Sequence, residues 1–194
     1  MSSVVQPAFL PQLSCDKLTL GDGGAAATRV WEGSPHKPAA LVAVGRGGGA
    51  EGFALAAVVE ALPWDYKYFS FGVGRAMPKE GKLFVDADGT CGLWQTAYDE
   101  SYRAALTKGF GRRADRGDRE LGRPIVQGSR LALHLSPREA EGRRTARFFV
   151  DREEVAVFVD IEDDGGDSDW VAGVTLSDKA SMRLVPAEGV ELCE

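Results

Sequence analysis

Two histidines, His36 and His134, are the first candidates for catalysis, and the sequence places neither in a catalytic setting. His36 lies in the proline-bounded turn 34–38, and His134 alternates with leucines along an apolar segment. Hydrolysis usually needs such a base beside a nucleophile, or a close pair of carboxylates. The sequence contains neither a Gly-x-Ser-x-Gly elbow nor a His-Glu-x-x-His motif. We therefore predict that the chain is not an enzyme.

Carboxylates are concentrated in the segment 160–169, whose spacing resembles a calcium-binding loop. Side-chain oxygens stand at its first, third and fifth positions and a glycine at its sixth. The twelfth position, however, carries Val171 in place of the usual bidentate glutamate, and no helices are predicted on either side. We interpret this segment, and the shorter acidic segment 86–89, as solvated turns. We predict neither a metal nor a cofactor.

Two further segments have compositions that could bind anions. The glycine-rich segment 45–49 lacks the lysine and the serine or threonine of a phosphate loop and is interpreted as a hairpin connection. The segment 109–127 is predicted to be a long surface loop that carries a secondary basic patch. The arginines of this patch are Arg112, Arg113, Arg116 and Arg119. Because acidic residues lie between them, a solvated loop is the first expectation, with an acidic partner and nucleic acid as alternatives.

The composition limits the possible partners and compartments. The net charge is −6, from 23 basic and 29 acidic residues, which argues against a surface built to bind nucleic acid. The sequence has neither a stretch near the ~20 apolar residues that span a bilayer nor a recognisable export signal. Cys15, Cys91 and Cys193 are odd in number and far apart, which favours reduced thiols. We expect a cytoplasmic or otherwise reducing location and leave the oligomeric state open.

Short apolar or alternating segments, separated by glycine-rich turns, recur along the chain and predict antiparallel strands. The predicted strands are 17–20, 28–31, 39–44, 53–62, 66–73, 130–136, 145–150, 154–161, 170–176 and 181–185. The segment 151–154 has room only for a hairpin turn. A four-residue spacing of Tyr98, Tyr102 and Leu106 predicts one short helix over 98–108.

These elements predict an all-β fold, a two-sheet antiparallel β-sandwich with one short helix. A chain of 194 residues is long enough for one good core and marginal for two. We therefore predict an N-terminal extension over residues 1–16 and a single β-sandwich domain over residues 17–194.

Two groups of sequence blocks resemble the SPRY (B30.2-like) family. Tyr-Phe-Ser-Phe-Gly-Val-Gly at 68–74 and Gly-Thr-Cys-Gly-Leu-Trp at 89–94 resemble its strand ending in Gly-Val and its glycine–tryptophan signature. The blocks from 130 to 176 resemble its later strands, although Asp151-Arg152 replaces the Asn-Gly turn and Leu135-Ser136 a Leu-Asp pair. The resemblance covers about residues 21–186. It implies a concanavalin-like jelly roll whose loops at one end grip a peptide or a protein, with neither catalytic residues nor a cofactor.

The resemblance and the usual composition of binding hot spots together suggest a partner-binding rim at strand ends. Its predicted members are Trp64, Tyr66, Arg75, Tyr98 and Trp170. The function that follows is a non-catalytic adaptor or complex subunit that binds a peptide or a protein surface. The alternatives are a carbohydrate-binding lectin and, less directly, a hydrolase on the same kind of sandwich.

Overall fold

The computed structural model describes residues 7–11, 14, 18–29, 39–46, 52–62, 69–75, 89–95, 102–106, 112–113, 125–163, 169–177 and 179–187. These residues form thirteen strands and one short 3-10 turn at Asp22–Gly24. The strands are β1 Leu18–Gly21, β2 Ala26–Arg29, β3 Ala39–Arg46, β4 Phe53–Ala61, β5 Phe69–Gly74, β6 Thr90–Gln95, β7 Tyr102–Leu106, β8 Arg112–Arg113, β9 Arg130–Leu135, β10 Arg143–Val150, β11 Glu153–Glu162, β12 Asp169–Leu176 and β13 Ser181–Val185.

The strands form two antiparallel sheets that pack face to face. The larger sheet has the order β1-β2-β13-β4-β9-β10-β11-β8, and the smaller sheet has the order β3-β12-β5-β6-β7. Phe71 of the smaller sheet and Phe148 of the larger sheet meet edge to face, with ring centroids 6.3 Å apart. Both rings are fully buried in one apolar cluster that draws on both sheets. The predicted all-β sandwich is therefore confirmed.

Strand direction separates the connections into two ends of the sandwich. Arg75 follows β5 and Asp163 follows β11, and their side chains lie 3.9 Å apart, so both strands finish at the same end. We call this the Arg75 end. β10 turns into β11 at the opposite end, where Val150 pairs with Glu153.

The β10–β11 hairpin has the predicted turn. Asp151 and Arg152 both have positive φ angles, 50° and 74°, as the central residues of a type I′ turn require. The Asp151 carboxylate accepts a hydrogen bond from the Arg130 backbone N–H at 2.8 Å. This bond fixes the turn against β9, a role that the aspartate carboxylate fills at the first central position of the turn.

The predicted helix over 98–108 is wrong, because residues 102–106 form strand β7. This strand pairs with β6 from Cys91 opposite Leu106 to Gln95 opposite Tyr102. A helix of about eleven residues has little stability alone, so a neighbouring strand edge easily overrides its weak sequence preference. The rest of this segment lies outside the described residues.

The predicted surface loop over 109–127 is also wrong in part. Arg112 and Arg113 form β8, which pairs with Val159 and Phe158 of β11. Ile125, near the other end of the segment, is fully buried in the core. The polar, glycine-rich composition of this segment gave no sign of the short edge strand or of the buried Ile125.

A described part of the predicted N-terminal extension packs against the sandwich. Phe9 is 1% exposed and belongs to the apolar core, and its N–H donates to the Gly24 carbonyl at 2.8 Å. Gly24 has φ of +92°, and a β-carbon there would come within 2.7 Å of the Phe9 carbonyl oxygen. This contact therefore requires glycine. The domain boundary at residue 17 stays a prediction.

Candidate interaction site

Arg75 and Trp170 are brought together by the register of the smaller sheet. Gly74, the last residue of β5, pairs with Val171, the third residue of β12. Arg75 and Trp170 therefore lie beside each other at the Arg75 end. The Arg75 N–H donates to the Gly89 carbonyl at 3.1 Å, which fixes the backbone where the chain leaves β5.

Trp170 is the buried support of this group and is not an exposed rim residue. Its exposed fraction is 1%, whereas the Arg75 side chain is 21% exposed. The Arg75 guanidinium lies over the indole ring, 5.3 Å from its centroid. The Arg144 guanidinium also lies over this ring, at 5.6 Å. Both contacts have the geometry of cation–π interactions, which strengthen when water is excluded.

Arg144 and Asp163 form a buried ion pair next to the ring. Their side chains are 0% and 2% exposed, and Arg144 Nε donates to Asp163 Oδ2 at 2.5 Å. Arg144 Nη1 also donates to the Ser136 carbonyl at 2.8 Å. A buried charge is strongly unfavourable unless it is paired and hydrogen-bonded, and both ions here meet that condition.

The connection 136–142, between β9 and β10, is held in one conformation by its own hydrogen bonds. Ser136 and Thr145 exchange two bonds, one from the Ser136 N–H to the Thr145 carbonyl and one from the Thr145 N–H to Ser136 Oγ. The Glu139 backbone N–H donates to the Arg143 carbonyl, and the Gly142 backbone N–H donates to the Glu139 carbonyl. Residues 137–141 are all exposed. The Arg75 end therefore presents an ordered polar loop to the solvent.

Of the five predicted rim residues, the structure describes Arg75 and Trp170, and these two are in contact. Trp64, Tyr66 and Tyr98 lie outside the described residues. Their binding roles stay predictions.

The secondary basic patch is described only in its first two residues. Arg112 and Arg113 are in edge strand β8, and Arg116 and Arg119 lie outside the described residues. Its role in docking an acidic partner or nucleic acid stays a prediction.

Sequence reasoning missed Arg144, Asp163 and Arg138. A signal for the first was present, because Arg144 alternates with Ala146 and Phe148 and so falls on the inward face of β10. A charged residue at an inward position needs a buried partner. The partner itself was hidden in the acidic segment 160–169, where one carboxylate among several gives no sign of being buried.

Two further reactive side chains in the described part of the chain, those of Cys91 and His134, lie on strands of the scaffold. Cys91 is a fully buried free thiol, and burial raises its pKa well above the usual value. His134 lies on the outer face of β9, and its pKa is lowered by partial burial and by the nearby Arg147 charge. Among the described residues, no group of three or more histidine, cysteine, aspartate or glutamate side chains is placed to hold a metal ion.

Similar folds occur in solved structures of SPRY domains. The TRIM65 PSpry domain matches with a TM-score of 0.59 and 12% identity, covering 93% of this chain and 92% of that chain. A human SPRY domain matches with a TM-score of 0.63 and 10% identity, covering 91% and 98%. The SPRY domain of human HERC1 matches with a TM-score of 0.57 and 15% identity, covering 94% and 99%.

The chain has the SPRY fold, as the sequence resemblance predicts. No protein-family model matches the sequence, and no curated protein matches it either. The similarity is therefore one of fold, at sequence identities of 10–15%. In the part of the chain that the structure describes, no helix is long and apolar enough to cross a membrane.

Proposed function

We propose that this chain is a non-catalytic protein-interaction module that binds a peptide or a protein surface at the Arg75 end, as an adaptor or as a subunit of a larger complex. The observation that carries the proposal is the placement of Arg75. Its guanidinium lies over a fully buried tryptophan ring, and 21% of its side chain is exposed at the end of the sandwich. The SPRY resemblance implies binding by loops at one end.

The chemistry of Arg75 supports this role. Arginine is enriched among the residues that dominate binding energies, because one side chain offers five donors and a flat face. A guanidinium that already rests on a ring loses less conformational entropy when it meets a partner. We propose that Arg75 donates to a carbonyl or carboxylate oxygen of the partner, and that Trp170 acts through Arg75.

The ordered loop 136–142 supplies a second surface at the same end. Its exposed residues include Arg138 and Glu139, so it offers both donors and acceptors. A loop whose backbone is already hydrogen-bonded binds without a large ordering cost. We propose that this loop and Arg75 contact the same partner.

Selection of peptides on the purified chain tests the proposal. A random peptide library displayed on phage is selected against the wild-type protein, and the best binder is synthesised and titrated by calorimetry. Arg75→Ala should weaken its binding at least about tenfold, equivalent to roughly 1.4 kcal/mol, because a hot-spot contact is lost. Arg152→Gly removes an exposed arginine from the opposite end and should leave the dissociation constant unchanged.

Thermal melts of each variant serve as the folding control. The proposal requires Arg75→Ala to remain folded while it loses affinity. Equal affinities of the wild type and Arg75→Ala would contradict it, and so would a selection that yields no binding peptide.

We also propose a cytoplasmic or otherwise reducing location. The support is the cysteine pattern, with three widely separated residues and with Cys91 free and buried.

A further inference from the structure

We propose that Arg144 and Asp163 are positioning residues, which hold the Arg75 end in its binding geometry without touching the partner. This inference rests on the proposed function and deepens it. Both side chains are essentially inaccessible, at 0% and 2% exposed, so their effect on a partner must pass through other residues.

Stability alone does not account for an ion pair in this place. Replacing a buried ion pair by apolar residues of similar size is often neutral or stabilising, because the desolvation cost offsets the attraction between the charges. An apolar pair, however, makes no directional hydrogen bonds. The Arg144 fork reaches Asp163 Oδ2 with Nε at 2.5 Å and the Ser136 carbonyl with Nη1 at 2.8 Å, which sets the geometry of two groups at once.

Asp163 connects the end of β11 to the ordered loop 136–142. Its backbone N–H donates to the Gly142 carbonyl at 2.7 Å, and its carbonyl accepts from Arg138 Nε at 2.9 Å. Gly142 has φ of +73°, and a β-carbon there would come within 2.9 Å of the Asp163 carbonyl oxygen. The two segments are therefore fastened together through backbone and side chain.

The same pair reaches Arg75 through two contacts. Arg144 and Arg75 lie over the same Trp170 ring, at 5.6 and 5.3 Å. Asp163 Oδ1 is 3.9 Å from Arg75 Nη2, so its charge also attracts the partly exposed arginine. Removing the pair therefore takes away the carboxylate beside the Arg75 guanidinium and the second guanidinium over the Trp170 ring.

A charge-free double variant separates positioning from folding. Removing one partner alone leaves a buried unpaired charge and strongly destabilises the protein, so Arg144→Met and Asp163→Leu are combined. The matched control combines Arg147→Met with Glu154→Leu. That control pair joins β10 to β11 at 2.7 Å but is exposed on the outer face of the sheet.

Hydrogen exchange and peptide titration give the two readouts. In the Arg144→Met, Asp163→Leu variant, the backbone amides at Glu139, Gly142 and position 163 should exchange at least about tenfold faster, while those at Phe148 and Phe158 keep their protection. The affinity for the selected peptide should fall at least about tenfold, because a loosened site must be ordered on binding. The Arg147→Met, Glu154→Leu variant should match the wild type in both readouts.

Arg144→Lys provides a second variant if the double variant does not fold. It keeps the charge but cannot hold Asp163 and Ser136 with one planar fork, so it should also lose loop protection and affinity. Wild-type protection and affinity in a folded variant of either kind would overturn the positioning role. Unchanged binding by Arg75→Ala would instead overturn the proposed function, so the two failures are distinguishable.

Discussion

At the Arg75 end, a buried tryptophan lies beneath a partly exposed arginine. Trp170, placed on the rim by sequence reasoning, is 1% exposed and supports the Arg75 guanidinium from the core side. Tryptophans at strand ends are ambiguous, because a large ring can serve equally as a core residue or as a contact residue. Here the alternation along β12 places the ring inside, since Trp170, Ala172 and Val174 all belong to the apolar core between the sheets.

His134 makes stability depend on pH. Its pKa is lowered below 6.5 by partial burial and by the charge of Arg147, so the folded chain binds fewer protons there than the unfolded chain does. The free energy of unfolding should therefore fall as the pH drops below 6.5, and it should stop falling once the pH is below the folded-state pKa of His134. Urea titrations of the wild type and His134→Gln across this range measure the effect.

The His134→Gln variant isolates this contribution from that of the carboxylates. Its stability should fall less than that of the wild type on acidification, so the difference between the two proteins changes with pH. Parallel profiles would show that His134 has the same pKa in the folded and unfolded chains.

At the scale of elements, the β10–β11 turn contains a residue that is strained by its conformation. Arg152 has φ of 74°, a left-handed conformation that costs a non-glycine residue roughly 1–2 kcal/mol. Arg152→Gly relieves this strain but adds freedom to the unfolded chain, so we expect a net gain of about 0.5–1 kcal/mol in chemical denaturation. Arg152→Ala, which keeps the strain, should bring no gain. A loss of stability in Arg152→Gly would mean that the Arg152 side chain makes a stabilising contact.

Strands were predictable from the sequence where apolar residues alternate with other residues. Alternating leucines in β9 and valines in β11 led to strands within a few residues of the observed bounds. Strand β7, with its Tyr-Arg-Ala-Ala-Leu sequence, carries no such pattern, and its conformation is set by the neighbouring β6 edge. Strand β8 is two residues long and is too short for any periodicity.

The candidate site was predictable only in part, for a physical reason. Arg75 and Trp170 lie at strand ends, and the sequence position alone is enough to predict that strand ends lie near the surface. The Arg144–Asp163 pair spans 19 residues and depends on how β10 and β11 align at their ends. Register at bulges is set by three-dimensional packing, and β10 and β11 have two such shifts.

At the scale of the whole molecule, the described strands form a two-sheet sandwich with connections at both ends. The core between the sheets, with Phe71 against Phe148, supplies the rigid body. The Arg75 end adds a buried ion pair, a supported arginine and an ordered loop. At the opposite end the structure describes the β10–β11 hairpin turn and the turn 126–129 before β9. We place binding at the Arg75 end because of the supported arginine and the hydrogen-bonded loop beside it.

Mapping a selected peptide on the protein by backbone amide chemical shifts tests that placement most directly. We predict that the largest changes on binding occur at Arg75 and in the loop 136–142, and that Asp151 and Arg152 at the opposite end do not change. Changes centred on the opposite end, or on the outer face of β10 and β11, would contradict the proposed site.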